Sequence, residues 1–271
     1  MLVAVDTGGT KTLVACFSSE GKIISSERFP TPQDQSEYID QLIATIHGMV
    51  EASQIRIISV ALPGTIHGEV ATWCPNLGWA EFNVVAPLRR EFDNVPVLLE
   101  NDANLAGLAE TRMLDSEPTM SLYVTVSTGI GTGLTLDGHI SPGLRLSEGG
   151  QMVLNFEDKP QQWQHFASGK AIKRIYGKYA RDIDDEATWQ EISHRISRGL
   201  LVLIATVQPE VIIIGGSVGT YFDKYSALLN KAVRTELPDY MNMPPIVQAK
   251  NPEEAVIYGC YYYAIDSNLP E

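Results

Sequence analysis

The sequence predicts an α/β protein of two lobes with a central cleft, and three observations carry that prediction. Its 271 residues suffice for two domains of ordinary size, each with its own core. Short apolar strands alternate with amphipathic helical stretches in βαβ fashion. A pattern of strand, glycine turn, strand, acidic-glycine turn and strand occurs twice, first from Leu2 and again from Ser121, as expected of two related lobes.

Residues 2–5 and 11–17 are apolar and β-branched runs around Asp6-Thr7-Gly8-Gly9-Thr10, which predicts a hairpin. Glu20-Gly21-Lys22 turns the chain into a third strand over 23–29. Ile39, Leu42, Ile43, Ile46 and Val50 follow the i, i+3, i+4, i+7 spacing of a helix over 35–53. A buried strand at 55–61 ends at Pro63-Gly64; a helix at 86–92, a strand at 95–99 and a helix at 103–113 complete the first lobe. Pro118 marks the crossing, giving an N-terminal lobe over 1–117 and a C-terminal lobe over 118–271.

The second lobe opens with a strand at 122–126, a glycine turn over 127–133 and a strand at 134–136. Helices are expected at 169–179 and 186–207, the latter with Ile192, Ile196, Leu200, Leu203 and Ile204 on one face. A buried strand at 211–214 runs into Gly215-Gly216-Ser217, and a last helix at 253–265 is expected to pack back on the first lobe.

The composition is that of a folded chain, 44% hydrophobic and 20% charged. A net charge of −13 disfavours nucleic acid and anionic membranes, which bind through excess Lys and Arg. It leaves a nucleotide open, because backbone N–H groups and a divalent cation can hold phosphates. The N-terminus lacks the pattern of a secretory signal, and no apolar run approaches the roughly 20 residues that cross a bilayer. Cys16, Cys74 and Cys260 are far apart and without CxxC spacing, as expected of buried thiols in a reducing, cytoplasmic compartment. His139 and His165 have no His or Cys partner at zinc spacing.

Three glycine-rich turns each end an apolar strand, where a backbone without Cβ atoms can approach a phosphate. Gly129-x-Gly131-x-Gly133 lacks the G-x-G-x-x-G spacing of a dinucleotide fold and precedes a strand rather than a helix. Ser168-Gly169-Lys170-Ala171 lacks the earlier glycine and the Ser or Thr of a Walker A loop. A carboxylate such as Asp102 suits proton transfer from a hydroxyl nucleophile, although Asn101 or Asp102 could equally cap the helix that follows.

Asp6-x-Gly8-Gly9-Thr10-Lys11, Glu100-Asn101-Asp102-Ala103-Asn104, Ser127-Thr128-Gly129-Ile130-Gly131-x-Gly133 and Gly215-Gly216-Ser217 together resemble the ROK family of repressors, open-reading-frame proteins and sugar kinases. Pro63-Gly64, Pro75-Asn76-Leu77-Gly78-Trp79, Ala167-Ser168-Gly169 and Tyr258-Gly259-Cys260 extend the resemblance through nearly the whole chain. It implies the actin-like ATPase (ribonuclease H-like) fold shared with hexokinase, and ATP-dependent phosphorylation of a hexose or N-acetylhexosamine in the manner of a glucokinase. It implies that Asp102 is the general base, and that Asp6, Gly8, Gly9, Thr10 and Lys11 face the phosphates, with Asp6 holding Mg2+ through a phosphate oxygen or water. Thr128, Gly129 and Gly131 would form the opposing phosphate loop, and Gly215, Gly216 and Ser217 would pack on adenosine. Gly64, Asn76, Asn101, Asp102, Glu148, Gln151 and Gln164 would line the sugar. A homodimer is expected on the same ground.

Two positions depart from the family pattern. The family's Glu-x-x-His falls on Glu148-Gly149-Gly150-Gln151, and Gln164 stands where a further sugar-binding glutamate is usual. With that histidine and the accompanying cysteines gone, no structural zinc is expected. The two glutamines leave room for an alternative, a non-catalytic sugar sensor or regulator without a DNA-binding domain. Retention of Asp6, Asp102 and both phosphate loops favours the kinase.

Overall fold

The computed structural model describes residues 1–93, 95–252 and 254–267. It divides into two compact units, one formed by Met1–Ala109 and the chain from Glu254 on, the other by the residues between.

The first unit begins with β1 (Leu2–Thr7), β2 (Lys11–Phe17) and β3 (Ile23–Pro30), an antiparallel meander. Asp34 accepts bonds from the N–H groups of Ser36 and Glu37 and so starts α1 (Gln35–Met49), which buries Tyr38, Leu42 and Ile46. β4 (Ile57–Leu62) follows, then a small antiparallel sheet of β5 (Thr65–His67), β6 (Val70–Cys74) and β7 (Trp79–Phe82). The sequence reading had no strands there. After α2 (Val85–Glu91) comes β8 (Val97–Asn101), which runs directly into α3 (Asp102–Arg112). The strand ends at Asn101 rather than at residue 99 because β4 pairs with it as far as Leu62 opposite Asn101. The main sheet has the order β3-β2-β1-β4-β8, with β1, β4 and β8 parallel.

The second unit repeats this plan with β9 (Met120–Val126), β10 (Ile130–Leu136) and β11 (His139–Ile140) as the meander. Then come the hairpin of β12 (Val153–Phe156) and β13 (Lys159–Gln162), α4 (Trp163–Ala167), α5 (Gly169–Tyr176) and the long α6 (Glu186–Val207). β14 (Val211–Gly215), α7 (Gly216–Gly219), α8 (Phe222–Glu236) and β15 (Ile246–Gln248) complete it. Its sheet order, β11-β10-β9-β14-β15, matches the first unit position for position and in strand sense. Trp163, Trp189, Tyr225 and Phe166 centre its core, with the Trp189 and Tyr225 rings stacked 5.0 Å apart.

The units divide between Ala109 and Glu110, inside α3, and not at Pro118 as the sequence suggests. The side chains on either side explain the shift. The Glu110 carboxylate accepts from the backbone N–H groups of Lys250 and Asn251, and Arg112 donates to the Gly138 carbonyl, all within the second unit. Leu105 instead packs its backbone against Gly259 of α9 (Ala255–Asp266), where a Cβ would lie 2.0 Å from the Leu105 carbonyl oxygen. α9 also packs on β1 and β4, and its Cys260 thiol donates to the Val5 carbonyl at 3.7 Å.

Two helical glycines provide opposite tests of this packing. A Cβ on Gly199 would come within 2.1 Å of the buried Trp163 ring, whereas one on Gly48 meets nothing within 4 Å. Chemical denaturation should show Gly199→Ala costing about 2 kcal/mol or more, as overpacking does. Gly48→Ala should raise stability by up to about 1 kcal/mol through helix propensity.

Candidate active site

In each unit, the turn after the first strand and the end of the fourth strand lie at the same edge of the sheet, because those two strands are parallel. Carboxyl ends of parallel strands are where α/β folds gather ligand-binding groups. The glycine turns singled out by sequence lie there, in one set per unit.

In the first unit, Asp6 and Thr7 close β1, and the turn of Gly8, Gly9 and Thr10 leads to Lys11 at the start of β2. The Gly8 N–H donates to the Lys11 carbonyl at 3.0 Å, and the Thr31 hydroxyl donates to the Gly8 carbonyl at 2.8 Å, so the turn is held from both sides. Gly9 packs on Asn76, whose carbonyl oxygen would lie 3.2 Å from a Cβ there. Asn76 itself is exposed in the Cys74–Gly78 turn, closed by Leu77 and Gly78 N–H groups donating to the Cys74 carbonyl.

Gly64 follows β4 with φ +117, and a Cβ there would stand 2.1 Å from the Trp73 carbonyl oxygen, so only glycine fits. Its carbonyl accepts from the Asn101 side-chain amide at 2.9 Å. The other end of that side chain, Asn101 Oδ1, accepts from the N–H groups of Ala103 at 2.8 Å and Asn104 at 3.1 Å. Asn101 is therefore the N-cap of α3, which decides between the two capping residues the sequence left open. Both functional ends of Asn101 are engaged within the protein, with one amide proton remaining for a ligand. Asp102, the first residue of α3, is partly buried, and one carboxylate oxygen accepts from the Ala103 N–H at 2.8 Å. The buried Cys74 thiol is pushed up to about 12 by burial and by the Asp102 carboxylate beside it.

Burial pushes the Asp6 carboxyl up to about 6, against the pull of Arg28 and Lys11. A buried carboxylate next to a turn in which Gly8 and Gly9 leave the backbone open fits a divalent cation carried in on phosphate oxygens. Among the described residues, no cluster of three or more His, Cys, Asp or Glu side chains could hold a metal ion by itself.

In the second unit the equivalent turn is shorter than the sequence implies. It comprises Ser127, Thr128 and Gly129, whereas Gly131 and Gly133 lie within β10, paired with Thr125 and Tyr123. Ladder pairing with β9 extends the strand into the glycines, and Gly150 of the neighbouring segment sits so near β10 that a Cβ there would clash with the Ile130 carbonyl. Gly131 is thus a strand residue beside the turn, not part of it.

Gly216, with φ +77, is wedged against the Thr125 hydroxyl and Val126 carbonyl, which brings Gly215-Gly216-Ser217 onto the same turn. The Ser127 and Ser217 hydroxyls are 3.3 Å apart. Gln164 also reaches the turn, its Oε1 only 2.8 Å from where a Gly129 Cβ would be. Glu148 and Gln151 bracket the short turn Gly149–Gln151, which packs on β10 through Gly149 against Thr132 and Gly150 against Ile130. Burial raises the Glu148 carboxyl. Gln151 is exposed. Sequence reasoning missed Tyr38, whose buried hydroxyl is 2.6 Å from the Thr7 hydroxyl. Only its place on the apolar face of α1 could have drawn attention to it.

Because the folded Asp6 carboxyl titrates near 6 and an unfolded one near 3.8, ionisation opposes folding. The stability it confers is full below about pH 4 and is lost as pH rises through about 6. Asp6→Asn should therefore stabilise the nucleotide-free protein at pH 7–8 by up to about 3 kcal/mol and hardly at all at pH 4, as urea unfolding at the two pH values would show.

The ROK family model matches residues 2–267. Fructokinase from Pediococcus pentosaceus is 26% identical over 262 residues, 91% of this chain and 90% of that protein. N-acetylmannosamine kinase from Escherichia coli (strain SE11) is 28% identical over 244 residues, 80% of this chain and 83% of that protein. The crystal structure of the ROK hexokinase from Thermus thermophilus superposes with a TM-score of 0.80 at 26% identity, covering 98% of this chain and 99% of that one. With a family model spanning nearly its full length and its motifs at the strand ends described above, the chain belongs to the ROK family and has the actin-like ATPase fold.

Proposed function

We propose that this ROK-family sugar kinase transfers the γ-phosphoryl group of ATP to the primary 6-hydroxyl of a hexose or N-acetylhexosamine, with Asp102 as general base. The observation that carries the reading is the Asn101 cap, which fixes Asp102 in the first turn of α3. There one carboxylate oxygen accepts from the Ala103 N–H, and a carboxylate held in a fixed place is the group that phosphoryl transfer needs to take a hydroxyl proton. The substrate class rests on the relatives, which act on fructose and N-acetylmannosamine by name, and on the hexokinase of matching fold.

Phosphoryl transfer asks the protein mainly for positioning and charge balance. The first unit supplies the turn from Asp6 to Lys11 for the phosphates, and Asp102, Asn76 and the remaining amide proton of Asn101 for the sugar. The second supplies Thr128 and Gly129, with Gly131 in the strand behind, and the Gly215-Gly216-Ser217 turn for adenosine. Asp6 would hold the magnesium that accompanies the nucleotide, and the ion would supply neutralising charge for the transferred group. Glu148 and Gln151 present an acceptor and an amide, the pairing that a polyol satisfies. A neutral Gln164 against Gly129 brings no negative charge to a turn meant for phosphate.

The test is ADP release with ATP and magnesium, screened over glucose, mannose, fructose, N-acetylglucosamine and N-acetylmannosamine. One sugar should drive turnover, and Asp102→Asn should lower kcat by about 10²–10⁴ while sugar affinity holds within a few-fold. Turnover that survives Asp102→Asn removes the general base, and ADP release indifferent to every sugar removes the kinase reading.

A further inference from the structure

Tyr38 projects from α1 into the core of the first unit with no exposed surface. Its ring packs among Trp79 at 4.9 Å, Phe82 at 5.8 Å and Phe29 at 6.4 Å. Its hydroxyl reaches the Thr7 hydroxyl at 2.6 Å, and Thr7 is buried too. Thr7 directly follows Asp6 and ends β1. Trp79 directly follows the Cys74–Gly78 turn that carries Asn76, and is pinned by its indole N–H donating to the Gln33 carbonyl at 2.6 Å. The two turns also touch at their tips, Gly9 against the Asn76 backbone. One tyrosine thus joins the root of the phosphate turn to the root of the Asn76 turn.

We infer that Tyr38 is a positioning residue for phosphoryl transfer, its hydroxyl holding Thr7, and through it Asp6 and the Gly8-Gly9 turn, in register with the Asn76 turn. The assignment rests on the kinase reading. A packing role for the ring alone does not require the hydroxyl, because a phenylalanine fills the same space. The hydroxyl at this depth needs a partner, and the partner present is the residue beside Asp6.

The test is a double-mutant cycle of Tyr38→Phe and Thr7→Val on the full chain, read by calorimetry of Mg·AMPPNP binding and by steady-state kinetics. Tyr38→Phe should weaken Mg·AMPPNP about tenfold, the loss expected of one buried hydrogen bond. Sugar KM should change less than about twofold, and the double variant should bind no more weakly than the worse single variant, as coupled groups do. Unchanged Mg·AMPPNP affinity in Tyr38→Phe, or losses that add in the double variant, would overturn the assignment. If the wild type binds Mg·AMPPNP but phosphorylates no sugar, the kinase reading fails, and the calorimetric cycle still decides whether Tyr38 holds the phosphate turn.

Discussion

The start of α3 at the edge of the first sheet depends on the capping side chain of Asn101, which hydrogen-bonds from both of its ends. Its carbonyl oxygen satisfies the first free N–H groups of α3, and its amide holds the Gly64 carbonyl after β4. One side chain therefore fixes where a strand becomes a helix, how that helix is aimed and where the neighbouring strand ends. Leaving the N–H groups of a helix start without partners costs on the order of 1 kcal/mol, so the cap is a structural need as well as a functional one. Its consequence for chemistry is that Asp102 has one place to be.

The second constraint is the burial of charge beside the glycine turns. Asp6 is kept from full solvation, offset by Arg28 and Lys11, so that its ionised form is held at a cost, which a cation bound as proposed would relieve. On the proposed reading, cation binding and proton release at Asp6 are linked. The second unit meets the same demand differently. It brings neutral groups, Ser127, Gly129, Gln164 and Ser217, onto one turn and uses glycine at 216 to let them meet.

Much of this was legible in the sequence where a period or a turn residue encoded it. The hairpin of β1 and β2, the apolar face of α1 and the whole of α6 follow from alternation and from i, i+3, i+4 spacing. α8 carries the same signal in Phe222, Tyr225, Leu229 and Val233 and could have been read. The β5 to β7 sheet was hidden because its strands are only three to five residues long and are broken up by the turn residues Gly68 and Pro75-Asn76-Leu77-Gly78. Gly131 and Gly133 misled because a glycine run reads as a turn, while sheet pairing with β9 makes it a strand. In the site, Asp6, Asn76 and Asp102 were visible by resemblance. The choice of Asn101 as cap, the contact of Gly9 with Asn76 and the bond from Tyr38 to Thr7 join residues distant in sequence, and only tertiary structure shows them.

The central claim is that Asn101 acts on the reaction through the helix it caps, and a comparison of kcat for Asn101→Ser and Asn101→Ala tests it most directly. Serine retains a capping oxygen and should keep kcat near that of the wild type, whereas alanine should lower it by about one to two orders of magnitude, the scale of a misplaced catalytic group. Equal losses in the two variants would contradict the account, because both lose the amide that holds the Gly64 carbonyl while only serine keeps the capping oxygen.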